Sequence, residues 1–85
     1  MLQQPRITAR QFDATDGLRA HIAQQVSSLG RVYDGIHDAH VVLGEDAGTK
    51  RAELALRVYR QTLTSTADAA THESAVDEAV RVMRR

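Results

Sequence analysis

Apolar positions recur along the chain at two different spacings, and the change from one to the other lays out its elements. Leu18, Ile22, Val26, Leu29 and Tyr33 are three or four residues apart, which puts one stripe on one face of a helix. Thr15 stands before that stripe as a candidate N-cap. Asp16 follows it, where the positive end of a helix favours a carboxylate. Gly17 in the first turn costs about 1 kcal/mol relative to alanine. The helix is expected to run to about Leu29 or just beyond, with Gly30 a candidate early terminator.

A short apolar burst, Ala39-His40-Val41-Val42-Leu43, then predicts a strand over residues 36–43. The polar, glycine-flanked run from Gly44 to Thr49 reads as a loop. Residues 51–59 alternate strictly, with Ala52, Leu54, Leu56 and Val58 on one face. Arg51, Glu53, Ala55, Arg57 and Tyr59 take the other. Threonines at alternate positions suit an exposed sheet face, so residues 62–67 read as the next strand, joined through a turn at Arg60-Gln61. That turn pairs Tyr59 with Thr62, Arg57 with Thr64 and Leu54 with Ala67. Residues 6–12 read as a first strand, and Thr71 caps a last helix with the stripe Val76, Ala79, Val80 and Met83.

The order is therefore β-α-β-β-β-α, an α+β fold. The first two strands are expected to be parallel through a right-handed crossover, and the rest form a meander. Both helices are expected on one face of a four-stranded sheet. The other face, with Arg51, Arg57, Tyr59, Thr62, Thr64 and Thr66, is left for water or a partner.

Eighty-five residues make one domain with a modest core. There is no cysteine, hence no disulfide and no thiolate metal site. No apolar run approaches a membrane span, and Met1-Leu2-Gln3-Gln4-Pro5 lacks the charged and apolar regions of a signal peptide. A cytoplasmic chain with no membrane partner is expected. The four histidines are scattered, and His37 and His40 would face opposite ways on a strand, so no metal is expected. No glycine-rich phosphate loop or nucleophile is present. Neither catalysis, nor a cofactor, nor a small-molecule substrate is expected.

Charge sharpens the picture. Eleven basic and eleven acidic residues cancel, which argues against indiscriminate nucleic-acid binding. The distribution is uneven. Lys50, Arg51, Arg57 and Arg60 surround Tyr59 with Glu53 as their one acidic neighbour, and Arg81, Arg84 and Arg85 crowd the last helix. Cations interleaved with an aromatic are a common way to hold RNA. Cations at a helix C-terminus also simply complement its dipole, and a charged sheet face also resists edge aggregation.

Several segments together resemble the ribosome hibernation-promoting factor family, which includes the ribosome-associated inhibitor A (sigma-54 modulation) proteins. They are Ile7-Thr8, Thr15-Asp16-Gly17-Leu18-Arg19, Leu29-Gly30-Arg31-Val32-Tyr33-Asp34, Asp38-Ala39-His40-Val41-Val42-Leu43 and Ser74-Ala75-Val76-Asp77. The resemblance implies the same β-α-β-β-β-α fold over residues 1–85, in a short form without a basic C-terminal extension. It implies binding to rRNA in the decoding region of the small ribosomal subunit, by steric occupancy during dormancy. Lys50, Arg51, Arg57, Tyr59, Arg60, Arg81, Arg84 and Arg85 are the expected contacts, and ribosome binding requires the cations to converge on one surface. The alternative is a protein-interaction module of the same fold, a homodimer through a strand edge or the threonine face, without RNA.

Overall fold

The computed structural model describes residues 5–33 and 35–84. The elements are β1 (Arg6–Ala9), α1 (Asp16–Ser28), a 3-10 turn (Leu29–Arg31), β2 (Asp38–Asp46), β3 (Thr49–Val58), β4 (Gln61–Ala69) and α2 (His72–Met83). The four strands form one sheet in the order β1-β2-β3-β4. β1 runs parallel to β2, and the other two pairings are antiparallel. The expected topology is the observed one.

The alternation in β3 organises the core. Ala52, Leu54, Leu56 and Val58 are buried on the same side as Ala39, Val41 and Leu43 of β2 and Ala67 of β4. Leu18, Ile22 and Val26 of α1 close over them, as do Ala75, Val76, Ala79, Val80 and Met83 of α2. Both helices thus lie on one face. Each begins at its expected cap: Thr15 Oγ1 accepts from the Leu18 amide and Thr71 Oγ1 from the Ser74 amide, both at 3.1 Å. The helices run parallel, tied by His21 Nε2 to Asp77 Oδ1 at 2.7 Å and by Arg84 Nη2 donating to Ser28 Oγ at 2.5 Å. Both ties join residues 56 apart, so the helices share one register. Ser65, the buried polar side chain of β4, donates to the Ala79 carbonyl at 2.8 Å and fastens α2 to the sheet.

Element ends depart from expectation for local reasons. The first strand stops at Ala9 rather than residue 12, because Gln11 takes φ 68° and turns the chain away. Phe12 then stacks on His72, ring centroids 4.6 Å apart and planes within 7°, covering one end of the core. The expected loop at 44–49 shrinks to a two-residue turn at Ala47-Gly48, both with positive φ. That conformation matches strand twist, so β2 and β3 run on to Asp46 and Thr49.

The last hairpin also shifts. Its turn is Tyr59-Arg60, not Arg60-Gln61, since Val58 pairs with Gln61, Arg57 with Thr62 and Leu56 with Leu63. Sliding the partner by two residues leaves every side chain on its expected face. Ser65 was passed over because its neighbours, Thr64 and Thr66, point outward.

Two substitutions separate core from cap. Leu56→Ala is expected to lose about 2–5 kcal/mol of stability. Thr71→Ala is expected to lose about 1 kcal/mol. Denaturant melts with unchanged slope would measure both.

Candidate nucleic-acid interface

The positions of the charged groups follow from strand direction and helix register. β1, β2 and the two helices fix one end of the molecule. There lie the starts of β1 and β2, the Tyr59-Arg60 turn and the C-terminal ends of α1 and α2. Arg6, Arg31, Arg57, Arg60, Arg81 and Arg84 sit at this end, against Asp38 and Glu78 among the described residues. The opposite end holds the Ala47-Gly48 turn and both helix N-termini. It carries Asp13, Asp16, Glu45, Asp46, Asp68 and Glu73 against Arg10, Arg19, Lys50 and Arg51. A chain of zero net charge is therefore a molecule with a basic pole and an acidic pole.

The expected contact residues divide between these poles. Lys50 and Arg51 are consecutive on β3 and so point to opposite faces. Lys50 is ion-paired with Glu45 across the β2–β3 hairpin. Arg51 grips Asp68 of β4 with two bonds, Nε to Oδ1 at 2.8 Å and Nη2 to Oδ2 at 3.3 Å. These pairs hold the Glu45 and Asp68 carboxyls below their usual values of 4.5 and 3.8. Hydrogen bonding to Lys50 is the main cause for Glu45, and to Arg51 for Asp68. Both cations belong to the acidic pole and already have a carboxylate.

Arg57, Tyr59, Arg60, Arg81 and Arg84 lie at the end that forms the basic pole, Arg57 on the helix-free face and Arg81 and Arg84 in the helical layer. Arg57 lies on the helix-free face of the sheet, between Asp38 of β2 and Thr62 of β4. Asp38 is taken by Arg6, at 2.5 Å. Arg81 is taken by Glu78, with bonds of 2.6–3.0 Å. Arg84 bonds only a neutral hydroxyl, Ser28. Tyr59 is 66% exposed at the hairpin tip, and the Arg60 guanidinium lies 5.1 Å from its ring centroid. Arg31, Arg57, Arg60 and Arg84 have no carboxylate partner among the described residues. Arg85 lies outside those residues.

Arg6 and Arg31 escaped the sequence reading. Arg31 follows Gly30 at the end of a helical stripe, a position that looks like ordinary dipole compensation. Only the parallel packing of α1 and α2 brings it to the same end of the molecule as Arg84, which bonds Ser28. Tyr33 marks the same junction, its hydroxyl donating to the Met83 carbonyl at 2.5 Å.

The backbone adds one observation at the tip. Arg60 has φ 62°, the left-handed region, while Tyr59 beside it does not. A non-glycine residue there costs about 1–2 kcal/mol. Glycine would relieve the strain and remove the guanidinium.

The described residues hold no group of three or more histidine and carboxylate side chains placed to bind a metal. Among them, no helix is long and apolar enough to cross a membrane. Two surface hollows, of about 430 and 470 Å³, lie at the acidic pole, with Arg10, Gln11 and Glu45 in the walls of each.

The comparisons with known proteins agree with this architecture. Residues 6–85 match the family described as sigma 54 modulation protein / S30EA ribosomal protein, and the chain belongs to that family. Among solved structures, it is similar to the N-terminal domain of Protein Y from Thermus thermophilus. The TM-score is 0.84 at 25% identity, over 93% of this chain and 88% of that one. It also shares the fold of a ribosomal subunit interface protein from Coxiella burnetii. There the TM-score is 0.81 at 17% identity, over 93% of this chain and 87% of the other. A search of the curated proteins finds no match to this sequence.

The acidic-pole pairs predict a pH dependence. A carboxyl lowered on folding contributes stability that is complete above its unfolded value. That stability is lost as pH falls through the folded one. Thermal melts should therefore show stability falling below about pH 4.5, with Asp68→Asn flattening part of that acid limb. Equal acid slopes for the two proteins would show that the Arg51–Asp68 pair does not couple to folding.

Proposed function

We propose that this chain is a ribosome-associated translation inhibitor that occupies the decoding region of the small subunit and holds rRNA through its basic pole. The mechanism is steric. Arginines grip phosphates while the folded body excludes transfer RNA and messenger RNA. Family membership supports the ribosomal partner. The observation that carries the choice of surface is the strained, exposed Tyr59-Arg60 tip at a pole whose Arg31, Arg57, Arg60 and Arg84 have no carboxylate partner among the described residues.

Magnitudes favour this reading over one based on net charge. β3 has ten residues, which at about 3.4 Å each separates the two poles by roughly 30 Å. The Debye length at physiological salt is about 8 Å. Acidic groups at one pole are therefore screened from a phosphate held at the other. Arg31, Arg57, Arg60 and Arg84, without carboxylate partners among the described residues, are the ones best able to release counterions. Arg81, Lys50 and Arg51 would first have to leave a carboxylate. Tyr59, largely exposed and with Arg60 over one ring face, suits stacking of an unpaired base on the other.

Cosedimentation with purified small subunits over a salt series tests the reading. Replacing Arg31, Arg57, Arg60 and Arg84 with glutamine should flatten the dependence of log affinity on log salt by about three to four. Replacing Lys50 and Arg51 should change it by less than about one. Binding that ignores the first set would overturn the basic pole as the contact surface.

Arg60→Gly separates fold from function. It should raise stability by about 0.5–1 kcal/mol, left-handed strain relieved exceeding the entropy lost. It should also weaken subunit binding. A variant that is both more stable and equally tight would assign Arg60 no role in contact.

A further inference from the structure

We infer that β4 is a self-pairing edge: a second copy of this chain adds to it antiparallel, about a two-fold axis at Ser65. Among the described residues no element lies beyond β4. It is nine residues long and holds no lysine and no proline, two of the usual guards of an exposed edge. Its one charged side chain, Asp68, is held by Arg51. The other edge strand, β1, is four residues long and begins with Arg6.

Self-complementarity selects both occupant and register. Centring the pair on Ser65 is the choice that uses all nine residues, from Gln61 opposite the partner's Ala69 onward. It sets Thr64 opposite the partner's Thr66 on the helix-free face, and Leu63 opposite the partner's Ala67 on the helical face. A shift by one residue would turn the buried face of one copy to the solvent side of the other. The result is an eight-stranded sheet with four helices on one side.

Two further features fit a second copy better than an unrelated strand. The first is the charge polarity. An antiparallel neighbour lays the basic pole of each chain along the acidic pole of the other, with Thr62 and adjacent Arg57 facing the partner's Asp68. The second is Val82, an exposed large apolar residue at 39%. It lies about 140° around α2 from Asp77, which faces α1, and so flanks the open edge of β4. In the pair the two α2 flanks run side by side and cover each other's valine.

The chain has no cysteine, which permits a register-specific test. Residues directly opposite in an antiparallel pair lie within disulfide reach, whereas diagonal ones at about 7–8 Å do not. Chains carrying Thr64→Cys and Thr66→Cys should cross-link efficiently when mixed under mild oxidation, and poorly when each is alone. Sedimentation equilibrium of the unmodified chain should show a monomer–dimer equilibrium that weakens as salt rises. The double variant Thr64→Lys, Thr66→Lys should remain monomeric with an unchanged circular dichroism spectrum, since both sites are exposed. A chain that stays monomeric at high concentration and low salt would overturn the inference. So would equal cross-linking in mixed and separate samples. An edge that accepts only a foreign strand peptide falls under the first of these outcomes. None of these readouts depends on ribosome binding.

Discussion

The alternation of β3 is the constraint from which the rest of the molecule follows. Ala52, Leu54, Leu56 and Val58 are all buried, and the first three are flanked by core residues of β2. In so small a domain little else can supply a core, so a slip of one residue would exchange the buried set for Arg51, Glu53, Ala55 and Arg57. Register is thereby fixed, and fixing it assigns every charged residue of the sheet to a face and a pole. Arg51 and Arg57 share a face and stand at opposite ends for this reason alone.

The helices extend the same order to the other layer. Because α1 and α2 lie parallel over the sheet, their N-termini share one pole and their C-termini the other. Asp16 and Glu73 complement the positive ends, while Arg31 and Arg81 complement the negative ends. The charge separation thus suits the fold as well as an external partner. Dipole compensation does not account for Arg57 or Arg60, which lie on the sheet and its turn. It has no bearing on why Arg60 is kept in a backbone region that favours glycine. An unfavourable local conformation kept at an exposed tip is the kind of feature that function explains better than stability.

Topology was legible because the two apolar periods do not overlap: the stripe through Leu18, Ile22 and Val26 cannot serve a strand, nor can that of β3 serve a helix. Both helix caps were legible for the same local reason. Turn positions were not. Ala47 and Arg60 adopt positive φ without being glycine or asparagine, so the first turn carried half of its usual chemical mark, Gly48, and the second carried none. The candidate site was half legible. Arg57, Tyr59, Arg60 and Arg84 were named and lie at one end of the molecule. Lys50 and Arg51 were named with them because cations close in sequence look like one patch. Strand geometry parts such neighbours, and Glu45 and Asp68 then claim them. Arg6 and Arg31 joined the pole only through long-range packing, which no local pattern records.

The basic pole and the open edge of β4 meet at Tyr59-Arg60, the turn from which β4 departs. The same polarity that would present arginines to rRNA phosphates would also draw a second copy into antiparallel contact. The two interactions are not independent. In the pair, each basic pole lies beside the partner's acidic pole, where carboxylates compete for its guanidinium groups. A polyanion at the basic pole would remove that attraction and favour the separated chain. Salt should weaken both contacts, but they differ in kind. A phosphate grip would have only charge and stacking behind it, whereas strand pairing would retain backbone hydrogen bonds and the Val82 flank when charges are screened. On these two proposals, the balance between free and paired chain would be set by the concentration of rRNA relative to that of the protein itself.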